Sequence, residues 1–509
     1  MKSLFKTVSL VLFFTILTRA AGFLLRIFLS REIGAEQLGI YQISLSIFVV
    51  LATAVSSGLP LVISRLTAKY IATNDKQSQK RMLGCALIIA GTGAIIITLL
   101  CFIFQNAFAF VFADDRSLLV FIVMLPALIF GAIDGVFKGS QWGKNNYLYV
   151  CIVDFFEQIS RIILCVLLLN VLFITLDGAV SAGIALCISC MLSMIFSIIL
   201  FFSKKGKIGK PVNHYAELIK GTAPITGMRL ASSLMTPIIS IILPLRLMSA
   251  GFTNSQAMSL MGVAFGMTLP LLFIPSTLVG ALTMALVPDL ACAKAKNENK
   301  YIDNRISSSI VFTLMGCIIF IPLFMGAGEL IGQFLFANMQ SGVLLSQSAW
   351  LMLPLGMVNL TAGILNSLGL EFKSLKNYVV GTILMLACII FLPKFIGLQS
   401  VILGMGLCTG LASILNIKML IKQKIITAKL FKPFVLMIVF CLPVVAIVSF
   451  LSGILSHFMP LFFNIIISCG LGAICFVLLC VIFNCVNLQT FIIRVKSFKF
   501  LKKKKIKVS

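Results

Sequence analysis

Apolar runs long enough to form membrane-crossing helices recur along almost the whole 509-residue chain, with short polar segments between them. A helix needs about 20 mainly apolar residues to cross the hydrocarbon core. Only helices and closed barrels satisfy their backbone hydrogen bonds in lipid, and these runs are too long for barrel strands. The pattern therefore predicts an all-α polytopic membrane protein with about fourteen transmembrane helices. We number the spans in chain order and place them at residues 8–29, 39–63, 83–104, 118–137, 152–174, 179–202, 222–245, 259–285, 307–327, 344–368, 377–396, 398–420, 432–452 and 461–486.

The composition excludes a soluble protein, because 60% of the residues are hydrophobic, only 11% are charged and the mean hydropathy is +1.12. Such a chain cannot build a water-soluble surface. The net charge of +26 could suggest a nucleic-acid partner, but the Lys and Arg residues fall in short segments between the apolar runs and at the end of the chain. That is the charge pattern of a membrane topology, so no nucleic-acid partner is expected.

The sidedness of the basic loops predicts the orientation, because Lys and Arg accumulate in short cytoplasmic loops. With the N-terminus inside, only Arg31, Arg116, Arg246 and Lys394 of the 41 Lys and Arg residues fall in outer loops. A wrong number of spans would place basic loops on both sides. The pattern thus supports the span positions and predicts two cytoplasmic termini. The polybasic tail at 491–509 is interpreted first as a solvated topology anchor, and it can also attract anionic lipid headgroups, at about 1 kcal/mol per charge.

A weak internal repeat predicts the domain organisation. Arg19 lies near the middle of span 1 and Arg229 near the middle of span 7, while Pro60 and Pro288 close spans 2 and 8. Transporters are often built from two related helix bundles with the substrate between them. We therefore expect two pseudo-symmetric six-helix lobes, although chance is the alternative for such short landmarks. The predicted division is 1–203 (spans 1 to 6), 204–425 (spans 7 to 12), 426–490 (spans 13 and 14) and the tail 491–509.

Three arginines within spans are candidate substrate-binding residues. A charge inside a span costs about 2.5 kcal/mol or more, so it needs a partner or a water-filled cavity. Arg19 and Arg26 lie seven residues apart, on nearly the same face of one helix. If span 7 packs opposite span 1, Arg229 faces the same cavity, and guanidinium groups suit phosphate or pyrophosphate. The alternative is that Arg26 snorkels to the interface and that Arg19 or Arg229 pairs with a neighbouring helix.

A second group of charged residues lies in spans 4 and 5. Glu157 and Arg161 have the i, i+4 spacing of an ion pair within one helix, and Asp134 has Lys138 at the same distance. Structural ion pairs are the first interpretation of these residues. Coupling of transport to a proton or cation, through Asp134 above all, is the second interpretation of this group, which also contains Asp154 in span 5.

Further candidates have weaker signals. Prolines inside spans 7 and 8 predict kinks that could act as hinges, at Pro224, Pro237, Pro244, Pro270 and Pro275. Most of the 15 cysteines lie inside apolar runs, as does the CxxC of Cys187 and Cys190, and only two histidines are present, so no metal site is expected. No catalytic motif appears in a suitable context, so we expect no enzyme and no cofactor.

Several sequence stretches, taken together, resemble a known family. They are Thr18-Arg19-Ala20-Ala21-Gly22-Phe23, the run from Ile33 to Tyr41, Gly58-Leu59-Pro60, Phe137-Lys138-Gly139, Glu157-Gln158 with Arg161, and the run from Gly266 to Pro275. This set is similar to the stage V sporulation protein B-like and lipid II flippase-like branch of the multidrug/oligosaccharidyl-lipid/polysaccharide flippase superfamily. The likeness covers roughly residues 8–420. It departs at Asp134, where relatives commonly carry an arginine, which suggests an altered headgroup or altered coupling.

The resemblance implies two six-helix lobes around a V-shaped cavity, and two last helices that frame a groove for a lipid tail. It also implies a bacterial plasma-membrane protein that moves polyprenyl-pyrophosphate-linked sugars, such as lipid II, with Arg19 in the cavity. We expect a monomeric flippase of these precursors, in spore cortex or cell-wall synthesis. A cation-coupled multidrug exporter is one alternative, and a membrane scaffold without transport activity is the other.

Overall fold

A computed structural model describes residues 2–106, 112–172, 177–295, 298–422 and 431–483, and over these residues the chain is helical, without a β-strand. The first helices are α1 (Lys2–Glu32), α2 (Gly34–Ser56), α3 (Leu59–Ala72), α4 (Lys76–Ile103), α5 (Asp115–Met124), α6 (Pro126–Gly143), α7 (Tyr147–Leu167), α8 (Gly178–Ser203), α9 (Tyr215–Ser233), α10 (Met235–Ser249) and α11 (Asn254–Met261). The remaining helices are α12 (Leu269–Ala295), α13 (Asn299–Ile318), α14 (Phe320–Phe336), α15 (Met339–Ser348), α16 (Met352–Ser367), α17 (Glu371–Phe391), α18 (Pro393–Ile396), α19 (Gln399–Lys422), α20 (Phe431–Leu455) and α21 (Leu461–Ile482). Two π-helical turns, Leu168–Leu172 and Gly262–Thr268, follow α7 and α11.

Thirteen stretches of the described helices are long and apolar enough to cross a membrane. Helix α7 matches predicted span 5 and is the remaining one, because Asp154, Glu157 and Arg161 place three charged residues in the middle of the helix. The prediction of an all-α, multi-pass membrane protein with about fourteen spans is thus confirmed. The predicted sidedness of the termini stays a prediction, and the tail 491–509 lies outside the described residues.

Large apolar side chains are exposed along many of these helices, which a soluble protein avoids. Phe372, Phe395, Phe458 and Leu442 are each more than 70% exposed. Such side chains need lipid as their solvent, since lipid tails are as apolar as they are. The exposed surface therefore agrees with the membrane assignment made from composition.

The helices form two compact units. The first contains residues 1–267 with 393–398, and hence α1 to α11 and α18. The second contains residues 268–392 and 399–509, and hence α12 to α17 and α19 to α21. Compactness in one conformation does not report which helices move together during a transport cycle. The lobes predicted at 1–203 and 204–425 therefore stay a prediction.

Predicted span 2 is not one straight helix. Helix α2 ends at Ser56, residues Ser57 and Gly58 form a bend, and α3 begins at Leu59 with Pro60 in its first turn. Proline has no backbone N–H, so it cannot continue the hydrogen bonds of a preceding helix. The related motif around Pro288 lies inside the unbroken helix α12. The two proline landmarks of the predicted repeat thus have different local structures.

Candidate functional site

Helix α6 presents a stripe of glycines to α3, and this contact orients the charged residues beside the stripe. A Cβ added at Gly139 would lie 2.6 Å from the carbonyl oxygen of Pro60, and one at Gly143 would lie 2.5 Å from that of Ser64. The two backbones are therefore in direct contact. Asp134 and Lys138 are about 100° away from the glycine stripe around the helix and reach α7 and α8 instead.

Lys138 is the centre of a buried ion-pair network, which we call the Lys138 cluster: Asp134, Lys138, Asp154, Glu157 and Arg161. The Lys138 Nζ atom lies 2.6 Å from Asp134 Oδ2, 2.7 Å from Asp154 Oδ1 and 3.7 Å from Glu157 Oε2. The side chain of Lys138 is only 14% exposed. A buried ammonium ion is stable only when opposite charges and hydrogen bonds replace its water. Two of the three carboxylates come from α7, so the cluster joins α6 to α7.

Arg161 extends the Lys138 cluster to α8. Its Nη2 atom lies 2.5 Å from Glu157 Oε1, and its Nε atom donates a hydrogen bond to Ser189 Oγ at 3.1 Å. Both i, i+4 pairs considered from the sequence are therefore in contact. The cluster contains three carboxylates and two cations, which leaves one formal negative charge.

Asp134 differs from the other two carboxylates in its burial. Its side chain is 5% exposed, and Oδ2 accepts a hydrogen bond from Ser193 Oγ at 3.2 Å. The other oxygen, Oδ1, is buried without a hydrogen-bond partner in the part of the chain that the structure describes. An unsatisfied buried oxygen is costly to the folded state. The role of Asp134 in coupling nevertheless stays a prediction.

The three candidate arginines have different surroundings. Arg19 is exposed on α1, within the span Phe13–Glu32. Arg26 is half-buried and interacts electrostatically with the buried Tyr41, which also interacts with Arg161. Arg229 is exposed on α9, and its Nη1 atom donates a hydrogen bond to the carbonyl oxygen of Ser57 at 2.7 Å. Arg229 thus binds a carbonyl in the bend of span 2, where the end of a helix carries partial negative charge.

Two of the five predicted hinge prolines lie next to an interruption of the regular α-helix, and three do not. Pro237 lies just after Leu234, where α9 ends and α10 begins, and Pro270 follows the π-helical turn Gly262–Thr268. Pro224, Pro244 and Pro275 lie within continuous helices. Breaks and π-turns next to proline have an ordinary cause, because the ring removes one backbone donor. Whether any of these positions moves stays a prediction.

A further polar network, the Arg116 cluster, was not anticipated from the sequence: Glu36, Asp114, Arg116, Asn254 and Ser255. Arg116 Nη2 lies 2.6 Å from Glu36 Oε1 and 2.9 Å from Asp114 Oδ2. Asn254 Nδ2 donates to Asp114 Oδ2 at 3.1 Å, and Ser255 Oγ donates to Glu36 Oε2 at 2.7 Å. Burial opposes ionisation of Asp114, but the hydrogen bonds from Arg116 outweigh it, and the pKa of Asp114 lies below its usual value. Arg116 appeared in the sequence only as an outer-loop cation, and no local spacing points to Asn254.

Two glycines bring α2 and α11 together beside the Arg116 cluster. A Cβ at Gly39 would overlap the carbonyl oxygen of Met258, and one at Gly262 would overlap that of Ala35. Only glycine permits backbones to approach this closely. The beginning of predicted span 2 and the beginning of predicted span 8 are therefore in direct contact, and the Arg116 cluster adds charged and polar hydrogen bonds to that contact.

These features define a multi-pass helical membrane protein with charged networks inside its first unit. The sequence matches the polysaccharide biosynthesis protein family over residues 4–294, which is more than half of the chain, and the chain belongs to that family. It is 26% identical over 410 residues to stage V sporulation protein B of Bacillus subtilis (strain 168), covering 77% of this chain and 78% of the relative.

Solved structures share the fold. The lipid II flippase MurJ in an inward closed conformation matches with a TM-score of 0.68 and 15% identity, over 93% of this chain and 98% of the other. An inward-facing multidrug resistance MATE family transporter of the MOP superfamily matches with a TM-score of 0.67 and 17% identity, over 80% of this chain and 94% of the other. The chain therefore shares its fold with a protein named as a flippase and with one named as a multidrug resistance transporter.

Proposed function

We propose that the protein is a flippase of lipid-linked cell-envelope precursors, which moves a polyprenyl-pyrophosphate-linked sugar across the membrane by alternating access. Membership of the polysaccharide biosynthesis family and the likeness to stage V sporulation protein B support this class of substrate. The predicted lobes at 1–203 and 204–425 would be the moving bodies. Synthesis of spore cortex or cell wall is the process that such an activity would serve.

The observation that carries this proposal is the exposed guanidinium group of Arg19 within a mainly apolar span. A guanidinium group in hydrocarbon is too costly to retain without a partner, so Arg19 requires an aqueous surface. A pyrophosphate head offers the oxygen pairs that match a guanidinium fork. Arg26 and Arg229 are the further candidates for the same headgroup.

Export of cationic drugs is the competing function within the same fold. A cationic drug requires acidic groups that are free to bind it. In the first unit, Asp134, Asp154 and Glu157 are all engaged with Lys138 or Arg161. A drug would have to displace these internal cations, which favours the anionic substrate.

The test is headgroup translocation in proteoliposomes that contain the purified protein and a fluorescent undecaprenyl-pyrophosphate sugar. Arg19→Gln and Arg229→Gln should each reduce flipping by about 10- to 100-fold, since a hydrogen bond to a charged group is worth about 1.5 to 3 kcal/mol. Arg19→Lys keeps the charge without the fork and should retain part of the rate. Arg246→Gln is the matched control, because Arg246 is exposed and lies in a predicted outer loop.

Thermal unfolding of each variant separates a binding defect from a folding defect, which matters most for Arg229 because of its contact with Ser57. Full flipping by a well-folded Arg19→Gln variant would contradict the role of Arg19. If the wild-type protein does not flip the lipid but exports cationic drugs, the multidrug function is correct. Absence of both activities would favour the membrane scaffold.

A further inference from the structure

A cavity of about 180 Å³ opens among the ends of α4, α6 and α8, at the side predicted to be cytoplasmic. We call it the lysine pocket, after the residues that share its lining: Lys76, Lys80, Lys144, Lys205 and Lys207. The rest of the lining is Gln79, Leu83, Ser140, Phe201 and Gly206. The pocket lining therefore contains five lysines and no acidic residue.

The loop after α8 folds back onto α4, and this creates the pocket. Lys205 adopts a left-handed conformation with φ 56°, and the N–H of Gly206 donates to the carbonyl oxygen of Phe201 at 3.0 Å. The N–H of Gly209 then donates to the carbonyl oxygen of Lys80 at 2.9 Å. A Cβ at Gly84 would overlap the carbonyl oxygen of Gly209, so a glycine in α4 makes room for the loop.

The five lysines do not need to share one pocket in order to orient the protein in the membrane. Basic residues orient a membrane protein from anywhere in its short cytoplasmic loops, and they do not need to meet. Like charges at close range repel each other, so a folded loop that gathers five lysines is stabilised when an anion lies among them. Lys144 is also held in place, with its Nζ atom 5.4 Å from the centre of the Phe201 ring.

The nearest acidic residue along α4 caps the helix and lies outside the pocket lining. Asp75 is the N-cap of α4, and its carboxylate accepts a hydrogen bond from the N–H of Ser78 at 2.9 Å. Hydrogen bonds from Ser78 hold the pKa of Asp75 below its usual value, so it remains a carboxylate engaged in capping. The pocket lining includes only the lysines as charged groups.

We infer that the lysine pocket binds an anion carrying one or two phosphate groups, at a site separate from the arginines of the proposed substrate path. The cavity volume of about 180 Å³ is smaller than that of sites for drug-sized ligands, which measure about 300 to 1,000 Å³. The cavity therefore suits a small anion. Lysine is a suitable phosphate ligand, since its ammonium group acts as a point charge with three donors. The phosphate could belong to an anionic lipid headgroup in the inner leaflet or to a free phosphate or pyrophosphate ion.

Two binding measurements on the purified full-length chain distinguish these sources. Native mass spectrometry after release from nanodiscs compares retention of phosphatidylglycerol with that of phosphatidylcholine. Equilibrium binding of radiolabelled phosphate and pyrophosphate in detergent measures the free anions. The pocket variant is Lys80→Gln with Lys207→Gln. The matched control is Lys204→Gln with Lys210→Gln, which removes the same charge from the loop after α8 at positions outside the pocket lining.

We expect the wild type and the control to retain at least one of these anions, and the pocket variant to bind it about fivefold more weakly for each lysine removed. Lys80→Arg with Lys207→Arg should restore binding, because the charge returns. Retention of phosphatidylglycerol alone would identify a lipid site, and binding of free phosphate alone a soluble ligand. Equal loss in the pocket and control variants, or no anion bound by the wild type, would overturn the inference. Neither result depends on flipping activity.

Discussion

Lys138 and Lys144 lie six residues apart, one within α6 and the other directly after it, but their surroundings are opposite. Lys138 is buried and lies close to the carboxylates of Asp134, Asp154 and Glu157. Lys144 is exposed and lines a pocket with four other lysines and no acidic residue. Side chains of the protein thus supply the counter-charge to the first lysine, whereas the pocket lining supplies none to the second.

The difference follows from the depth of each residue in the helix bundle. A lysine that water cannot reach must have internal partners, because desolvation of an isolated charge costs several kcal/mol. A lysine at the end of a helix stays hydrated and can exchange its water for a ligand. Neutralising Lys138 should therefore affect stability, whereas neutralising Lys144 should affect anion binding.

Lys138→Met should produce the largest loss of stability, about 3 to 5 kcal/mol, because it leaves the buried carboxylate of Asp134 without its cation. Thermal unfolding of the purified protein, followed by the loss of a monodisperse species, measures this change. A triple variant that adds Asp134→Asn and Asp154→Asn should recover part of the loss, since the uncompensated negative charges are gone. Wild-type stability of Lys138→Met would show that the Lys138 cluster does not hold α6 and α7 together.

Gly139→Ala should have an intermediate effect, because the new methyl group would push α6 away from α3. Overpacking of this kind costs about 1 to 3 kcal/mol, and here the carbonyl oxygen of Pro60 is only 2.6 Å from the added atom. Gly131→Ala, on the same helix with open space at its Cβ, is the control and should be neutral or slightly stabilising. Equal unfolding temperatures for the two variants would mean that the glycine stripe does not position the charged residues.

The sequence was sufficient for those features that depend on local spacing. The length of the apolar runs predicted the spans, and the i, i+4 spacing predicted that Asp134 could reach Lys138 and Glu157 could reach Arg161. The contact of Lys138 with Asp154 depends on how α6 packs against α7. No single-helix spacing contains that information.

Features formed by distant segments could not be predicted, because they too depend on how different helices pack together. Asn254 binds Asp114 across 140 residues of sequence. The lysine pocket joins the start of α4 to the loop after α8, and each set of lysines alone looks like an ordinary cytoplasmic loop. The bend at Ser57 also escaped prediction, because proline is common in membrane helices and does not by itself indicate a break.

Lys144→Gln should have the smallest effect on stability, within about 0.5 kcal/mol, because the residue is exposed and has no carboxylate partner in the pocket lining. It should nevertheless weaken anion retention in the same assays as the pocket variant. Raising the salt concentration should weaken anion binding by the wild type, because salt screens exposed charges. The unfolding temperature should stay nearly unchanged, because salt screens the Lys138 cluster much less. A large destabilisation by Lys144→Gln would assign this lysine a structural role like that of Lys138. Unchanged stability together with weaker anion binding would place the boundary between internally and externally neutralised lysines within the last two turns of α6.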